Sequence, residues 1–239
     1  MATVRRLRQH RRILCSLTFD AAASQQAVNP TNLNTANYWD QVYRQEWESG
    51  SVLGGNYHRD YGPIHEAVIG LIPDGSRVLD IACGAGLLCR KIKQSLPNTR
   101  VVGVDFAEYT IRQNQERDRE LGVDYRCVDI RNCLSSVEGP FDVITMCEIL
   151  EHLEEPQAVV ADAFRLLRKD GRFILTCPHD DAIPDPEHIR CWGHDELFHL
   201  LAPYGQTISL MHFPPPYFHI WMLAYLNKAG SESAEQPPE

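Results

Sequence analysis

Val78-Leu79-Asp80-Ile81-Ala82-Cys83-Gly84-Ala85-Gly86 is an apolar run that ends in an acid and then opens into small residues and glycine. A short apolar run of this kind reads as a buried parallel strand. The glycines beyond it allow a sharp turn and a backbone approach to a ligand that a side chain would prevent. Alone, the pattern also fits a plain strand-to-helix connection, so the segments downstream decide the reading.

Arg100-Val101-Val102-Gly103-Val104-Asp105 is a second apolar run ending in an acid, 25 residues after Asp80 and therefore one βαβ repeat away. Tyr125-Arg126-Cys127-Val128-Asp129 is a third, its acid 24 residues later. The expectation is that all three acids stand at one sheet edge. There Asp105 would accept hydrogen bonds from ribose hydroxyls and Asp129 from an adenine amino group. A pyrophosphate-binding fingerprint would need a further glycine at position 89, which is cysteine. Asp80 would repel a phosphate but suit a cationic group. Both points argue against a dinucleotide.

This ordered set resembles the class I S-adenosylmethionine-dependent methyltransferases. Val78 to Gly86 looks like their first motif, with Ala82 where the family usually carries its first glycine, and Asp105 and Asp129-Ile130 look like their ribose and adenine partners. Phe141 to Leu153 resembles the family's strand four and the motif after it, and Leu166 to Leu175 its helix, turn and fifth strand. The resemblance covers about residues 38 to 227. It implies S-adenosylmethionine as cofactor and a cofactor site of Asp80, Ala82, Cys83, Gly84, Gly86, Asp105, Phe106, Asp129, Ile130 and Cys147. Gly84 and Gly86 are expected to face the cofactor closely.

The implied fold is an α/β, Rossmann-like, doubly wound sheet of seven strands, mostly parallel with a C-terminal antiparallel pair, under an N-terminal helical cap. Strands are expected near 77–82, 100–105, 124–128, 141–147, 171–177, 206–212 and 218–227. Helices are expected from Tyr38, over Pro63–Ile72 and over Gly193–Tyr204. Residues 31–229 form the expected domain, between a disordered basic tail at 1–30 and a polar, proline-bearing tail at 230–239.

Composition suits one globular enzyme domain, with 239 residues, 44% hydrophobic and 23% charged. The net charge is −9, yet residues 1–14 hold five arginines and no acid, so residues 15–239 carry −14. An acidic body argues against a nucleic-acid partner. No stretch approaches a membrane span. Eight cysteines without a Cys-x-x-Cys pair suit a reducing compartment, and the expected location is cytoplasmic. The arginine-rich start leaves a mitochondrial presequence as the alternative.

Ligands of such sheets lie outside the carboxyl ends of the strands. Acceptor-side candidates are therefore Tyr57, His58, Arg59 and Tyr61 from the cap, with His179 and Trp192 from the long run after the fifth strand. His152 is the first candidate base and His188 the second. Glu148 and Glu151 are expected to raise the pKa of His152 toward neutrality or above. If residues 148–152 form a helical turn, Glu148, Glu151 and His152 share one face. With His188 or His179 this resembles the metal site of small-RNA 3′-end methyltransferases, and equally the Glu-x-x-Glu-His turn of quinone-ring O-methyltransferases. The expected activity is methylation of a small molecule, at oxygen. The alternatives are an RNA or protein methyltransferase using a divalent metal, or a non-catalytic cofactor-binding subunit.

Overall fold

The structure is a computed structural model. It describes residues 4–8, 32–51, 55–179, 185–205, 207–213 and 221–228. The chain order is strand β1 (Val4–Arg8), helices α1 (Ala36–Ser49) and α2 (Gly55–Gly70), then β2 (Arg77–Ile81), α3 (Leu87–Ser95), β3 (Arg100–Asp105), α4 (Glu108–Arg117), β4 (Asp124–Cys127), α5 (Ile130–Cys133) and β5 (Phe141–Cys147). It continues with α6 (Pro156–Leu166), β6 (Leu167–Pro178), α7 (His194–Leu201), β7 (Thr207–Phe213) and β8 (Trp221–Asn227).

One sheet runs in the order β1-β7-β8-β6-β5-β2-β3-β4. Strands β2 to β6 are parallel, while β8 pairs antiparallel with β6 and β7. The chain winds outward from β2 through β3 to β4, then returns to lay β5 on the other side of β2. That reversal is the topological switch point, where the crevice of a doubly wound sheet opens.

The seven expected strands are all present, and the sheet has an eighth. Val4–Arg8, expected in a disordered tail, pairs antiparallel with β7. The physical reason is that β7 would otherwise expose an edge of unpaired N–H and C=O groups, which a short strand satisfies. The helix expected from Pro63 instead begins at Gly55, with Pro63 inside it. Arg11, Arg12, the Pro214–Pro216 connection and the 230–239 tail lie outside the described residues.

Strand residues alternate between two layers, as a pleated sheet requires. Leu79, Ile81, Val102, Val104, Ile144, Met146, Phe173 and Leu175 pack with α6 and α7. Val78, Val101, Val143 and Ile174 pack with α2, α3 and α4. Burial on both faces explains why these strands read as continuous apolar runs.

Helix α1 is docked rather than buried. Its N-cap Thr35 accepts from Tyr38 N–H, and Gly50 closes it in the left-handed conformation. Asp40 accepts from the backbone N–H of Tyr109 at 3.0 Å. Helix α4, whose own N-cap is Ala107 without a side-chain bond, thus receives its cap from α1. Trp47 packs against Ala85 and Leu87.

Candidate active site

A pocket of about 570 Å3, its open mouth included, lies at the carboxyl ends of the parallel strands. Ala82 follows β2, Asp105 and Phe106 close β3, Val128, Asp129 and Ile130 follow β4, and Glu148, Ile149 and His152 follow β5. Asn34, Trp39 and Tyr43 wall it from the N-terminal side.

Asp105 is 4% exposed. Its Oδ2 accepts from Gly84 N–H at 3.0 Å and its Oδ1 from Ala107 N–H at 2.9 Å. One backbone donor on each oxygen leaves acceptor capacity on both. Burial pushes its pKa up to about 6, against the pull of those N–H groups. Asp129 also lines the pocket, but its carboxylate is held by Arg131 at 2.8 Å on both oxygens and caps α5. Those bonds lower its pKa and occupy most of its acceptor capacity.

The three strand-end acids do not share one edge. Asp80 is in register with Gly103, two residues short of Asp105, so it sits beneath the turn. Thr145 Oγ1 donates to it at 2.6 Å and Cys89 Sγ at 3.1 Å, while burial raises its pKa to about 6. Neither Asp80 nor Cys83, Gly84, Gly86 or Cys147 is on the pocket wall. Both glycines also meet a packing constraint. A Cβ on Gly84 would stand 2.7 Å from the Tyr43 hydroxyl, and one on Gly86 would run into Tyr125. Ala82 takes φ +59°, a left-handed conformation that costs a non-glycine residue about 1–2 kcal/mol. Glu148 is left-handed too, and both residues line the pocket.

The segment after β5 is not an α-helical turn. Glu148 has φ +53°, and only Leu150–His152 form a short 3-10 helix. Glu148 therefore turns aside, its Oε1 accepting from Thr176 at 2.8 Å. Glu151, His152 and His188 do come together, with ligand atoms within 4.8 Å of one another. Glu151 is 2% exposed and its Oε2 is buried with no hydrogen-bond partner. Burial, with Glu148 nearby, drives its pKa well up. His152 moves opposite to expectation: burial, then the neighbouring His188, lowers its pKa to about 4. With its pKa lowered to about 4, His152 is neutral at physiological pH.

Of the other acceptor-side candidates, Tyr61, His179 and Trp192 are not on the pocket wall. Trp192 is 4% exposed inside the main core, where its large apolar ring is buried. Tyr61 packs on the second core cluster, and the His179 ring lies 4.9 Å from that of His194. The side chains of Tyr57, His58 and Arg59, in the first turns of α2, lie outside the described part. Sequence reasoning missed Asn34, Trp39 and Tyr43 on the N-terminal side, and Val128, Arg131, Ile149 and Leu153 on the strand side. Trp39 and Tyr43 carried a readable signal, since with Trp47 they are spaced four apart and share one helical face.

A family profile described as a methyltransferase domain matches residues 79–173. The match takes in the parallel strands and the turns that line the pocket. The fold is shared with solved methyltransferase structures. A ubiquinone biosynthesis O-methyltransferase of Chromobacterium violaceum is 35% identical over 99 residues, 41% of this chain and 42% of that one. The chain thus spans about half or less of the length of the curated relatives it matches. Among solved structures, a magnesium protoporphyrin IX methyltransferase from Synechocystis PCC 6803 with bound S-adenosylhomocysteine superposes with a TM-score of 0.65. It is 16% identical, over 81% of this chain and 98% of that one. The [4+2]-cyclase SpnF superposes at 0.69, also 16% identical, over 84% and 97%. At such identity these likenesses carry the fold alone, and one fold hosting a cyclase shows that the chemistry must be read from the site.

No helix among the described residues is long and apolar enough to cross a membrane.

Proposed function

We propose that the chain is an S-adenosylmethionine-dependent methyltransferase that methylates an oxygen of a hydroxylated small molecule. One observation carries this reading: the buried Asp105 and the neutral His152 line the same pocket. S-adenosylmethionine, when bound, supplies an already activated methyl group. The donor set fits it, because Asp105 keeps free lone pairs for two ribose hydroxyls and Phe106, Val128, Ile130 and Ile149 offer apolar walls to an adenine. Trp39 and Tyr43 close the pocket on the other side and exclude water from the transfer. The O-methyltransferase relative supports an oxygen acceptor.

The chain's remaining task is to hold the acceptor hydroxyl and draw off its proton. A histidine with a pKa near 4 is a weak acceptor for a hydroxyl proton. A neutral imidazole beside a buried, unpartnered carboxyl oxygen is instead a suitable donor set for a divalent cation. Glu151, His152 and His188 would hold such an ion, whose charge would acidify a nearby hydroxyl. The test is transfer of radiolabelled methyl from S-adenosylmethionine to a panel of phenols and catechols, before and after chelation. Transfer to a ring hydroxyl that chelator removes and divalent cation restores is the expected result. Methylation confined to amines or carboxylates, or turnover indifferent to chelator, would overturn it.

A further inference from the structure

The loop after β6 folds back onto the segment after β5. Ile189 N–H donates to the Glu151 carbonyl at 2.9 Å, and the carbonyl oxygen of Glu187 lies 3.1 Å from His152 Nδ1. A carbonyl only accepts, so this bond requires the proton on Nδ1. A neutral imidazole carries one N–H, so Nε2 is left with its lone pair. Nε2 is the nitrogen on the Glu151 side, 3.8 Å from Oε1.

That same carbonyl has a second donor. Asn34, 5% exposed, gives its Nδ2 to Glu187 O at 2.8 Å. Its Oδ1 accepts from Trp39 Nε1 at 3.1 Å, and its own carbonyl accepts from Arg131 Nη1 at 3.0 Å. The Trp39 ring in turn stands edge-on to His152, 5.4 Å between centroids. One buried amide therefore fixes both the acceptor that holds the histidine proton and the indole that bounds its ring.

We propose that Asn34 is a positioning residue that holds His152 in the Nδ1–H tautomer, leaving Nε2 bare toward Glu151. The inference rests on the reading of His152 as the acceptor-side group, whose role as a metal ligand needs the Nε2 lone pair. Asn34 acts through Glu187 and Trp39.

The experiment is long-range proton–nitrogen correlation NMR of the nitrogen-15 histidine-labelled full chain at neutral pH, with and without S-adenosylhomocysteine. His152 is assigned as the signals lost in His152→Gln. The wild-type protein should show a protonated Nδ1 and a bare Nε2. Asn34→Asp keeps the acceptor for Trp39 but sets a carboxylate against the Glu187 carbonyl, and it should redistribute the proton into a mixture of tautomers. Asn34→Ala should do the same. A wild-type Nε2–H, or an unchanged Nδ1–H in either variant that folds, would overturn the proposal. Its failure is separable from that of the functional reading. Undiminished methyl transfer by His152→Ala would remove the chemistry assigned to His152 and leave the tautomer pattern as it is.

Discussion

Gly86 has no room for a side chain because Tyr125 stands where one would go: a Cβ there would lie 2.5 Å from the Tyr125 hydroxyl and 2.8 Å from its ring. The ring is 3% exposed and pinned, its hydroxyl donating to Asp118 at 2.8 Å. Gly86 also has φ +68°. The second glycine of the turn is therefore demanded by the fold beneath the pocket, although the sequence pattern points to the ligand above it.

Gly86→Ala should cost about 2–4 kcal/mol of stability, combining left-handed strain with overpacking. Gly122, with φ +70° and nothing within 4 Å, is the control, since Gly122→Ala there should cost only the strain, about 1 kcal/mol. Urea denaturation of both variants makes the comparison. Equal losses would mean that Tyr125 yields freely and that the glycine is not a packing requirement.

Cofactor affinity should depend on pH through Asp105. Its pKa in the folded protein, about 6, is raised above the ordinary carboxylate value. Its contribution to stability is therefore fully present below the unfolded-state pKa and is lost as pH rises through about 6. Binding through a charged carboxylate runs the other way and improves over the same range. S-adenosylhomocysteine should bind about tenfold more weakly near pH 5 than near pH 8, and Asp105→Asn should flatten the profile. A wild-type profile already flat in calorimetry would contradict the assignment.

The unpartnered acid makes its own forecast. Glu151→Gln removes a buried ionisable group, so at neutral pH the variant should be as stable as the parent or slightly more so. It should also lose divalent-cation binding by at least about tenfold. Titration with magnesium, manganese and zinc in turn reads the second effect. A variant that unfolds more easily and still binds metal as before would mean that Glu151 is structural.

Asp40→Ala removes the cap that α1 lends to α4 and should cost about 1 kcal/mol. Because the same helix carries Trp39 and Tyr43, its loosening should speed hydrogen exchange in α1 before that in the sheet. Uniform acceleration across the domain would show that α1 does not open separately.

The strand-end acids and the order of elements were legible in the sequence because a doubly wound sheet repeats apolar runs at a helix-plus-strand interval. What escaped depends on register and on distant partners. Pairing sets Asp80 against Gly103, two residues short of Asp105. Gly86 meets Tyr125 across 39 residues of sequence. The spacing of Glu148, Glu151 and His152 implied an α-helical face, but a left-handed Glu148 and a 3-10 turn bring only two of the three together. His152 was expected to be charged up by its acids, but burial and the neighbouring His188 favour the neutral ring. The aromatic stripe of α1 was readable, and its role as the pocket's wall became visible only with the helix docked.

The central claim is that this pocket holds S-adenosylmethionine through Asp105, and calorimetric titration of the whole chain with S-adenosylhomocysteine tests it most directly. The parent should bind, and Asp105→Ala should lose two charge-assisted hydrogen bonds, about 2–3 kcal/mol or thirtyfold and more in affinity. Equal affinity in the two proteins, or no binding by the folded parent, would contradict the account.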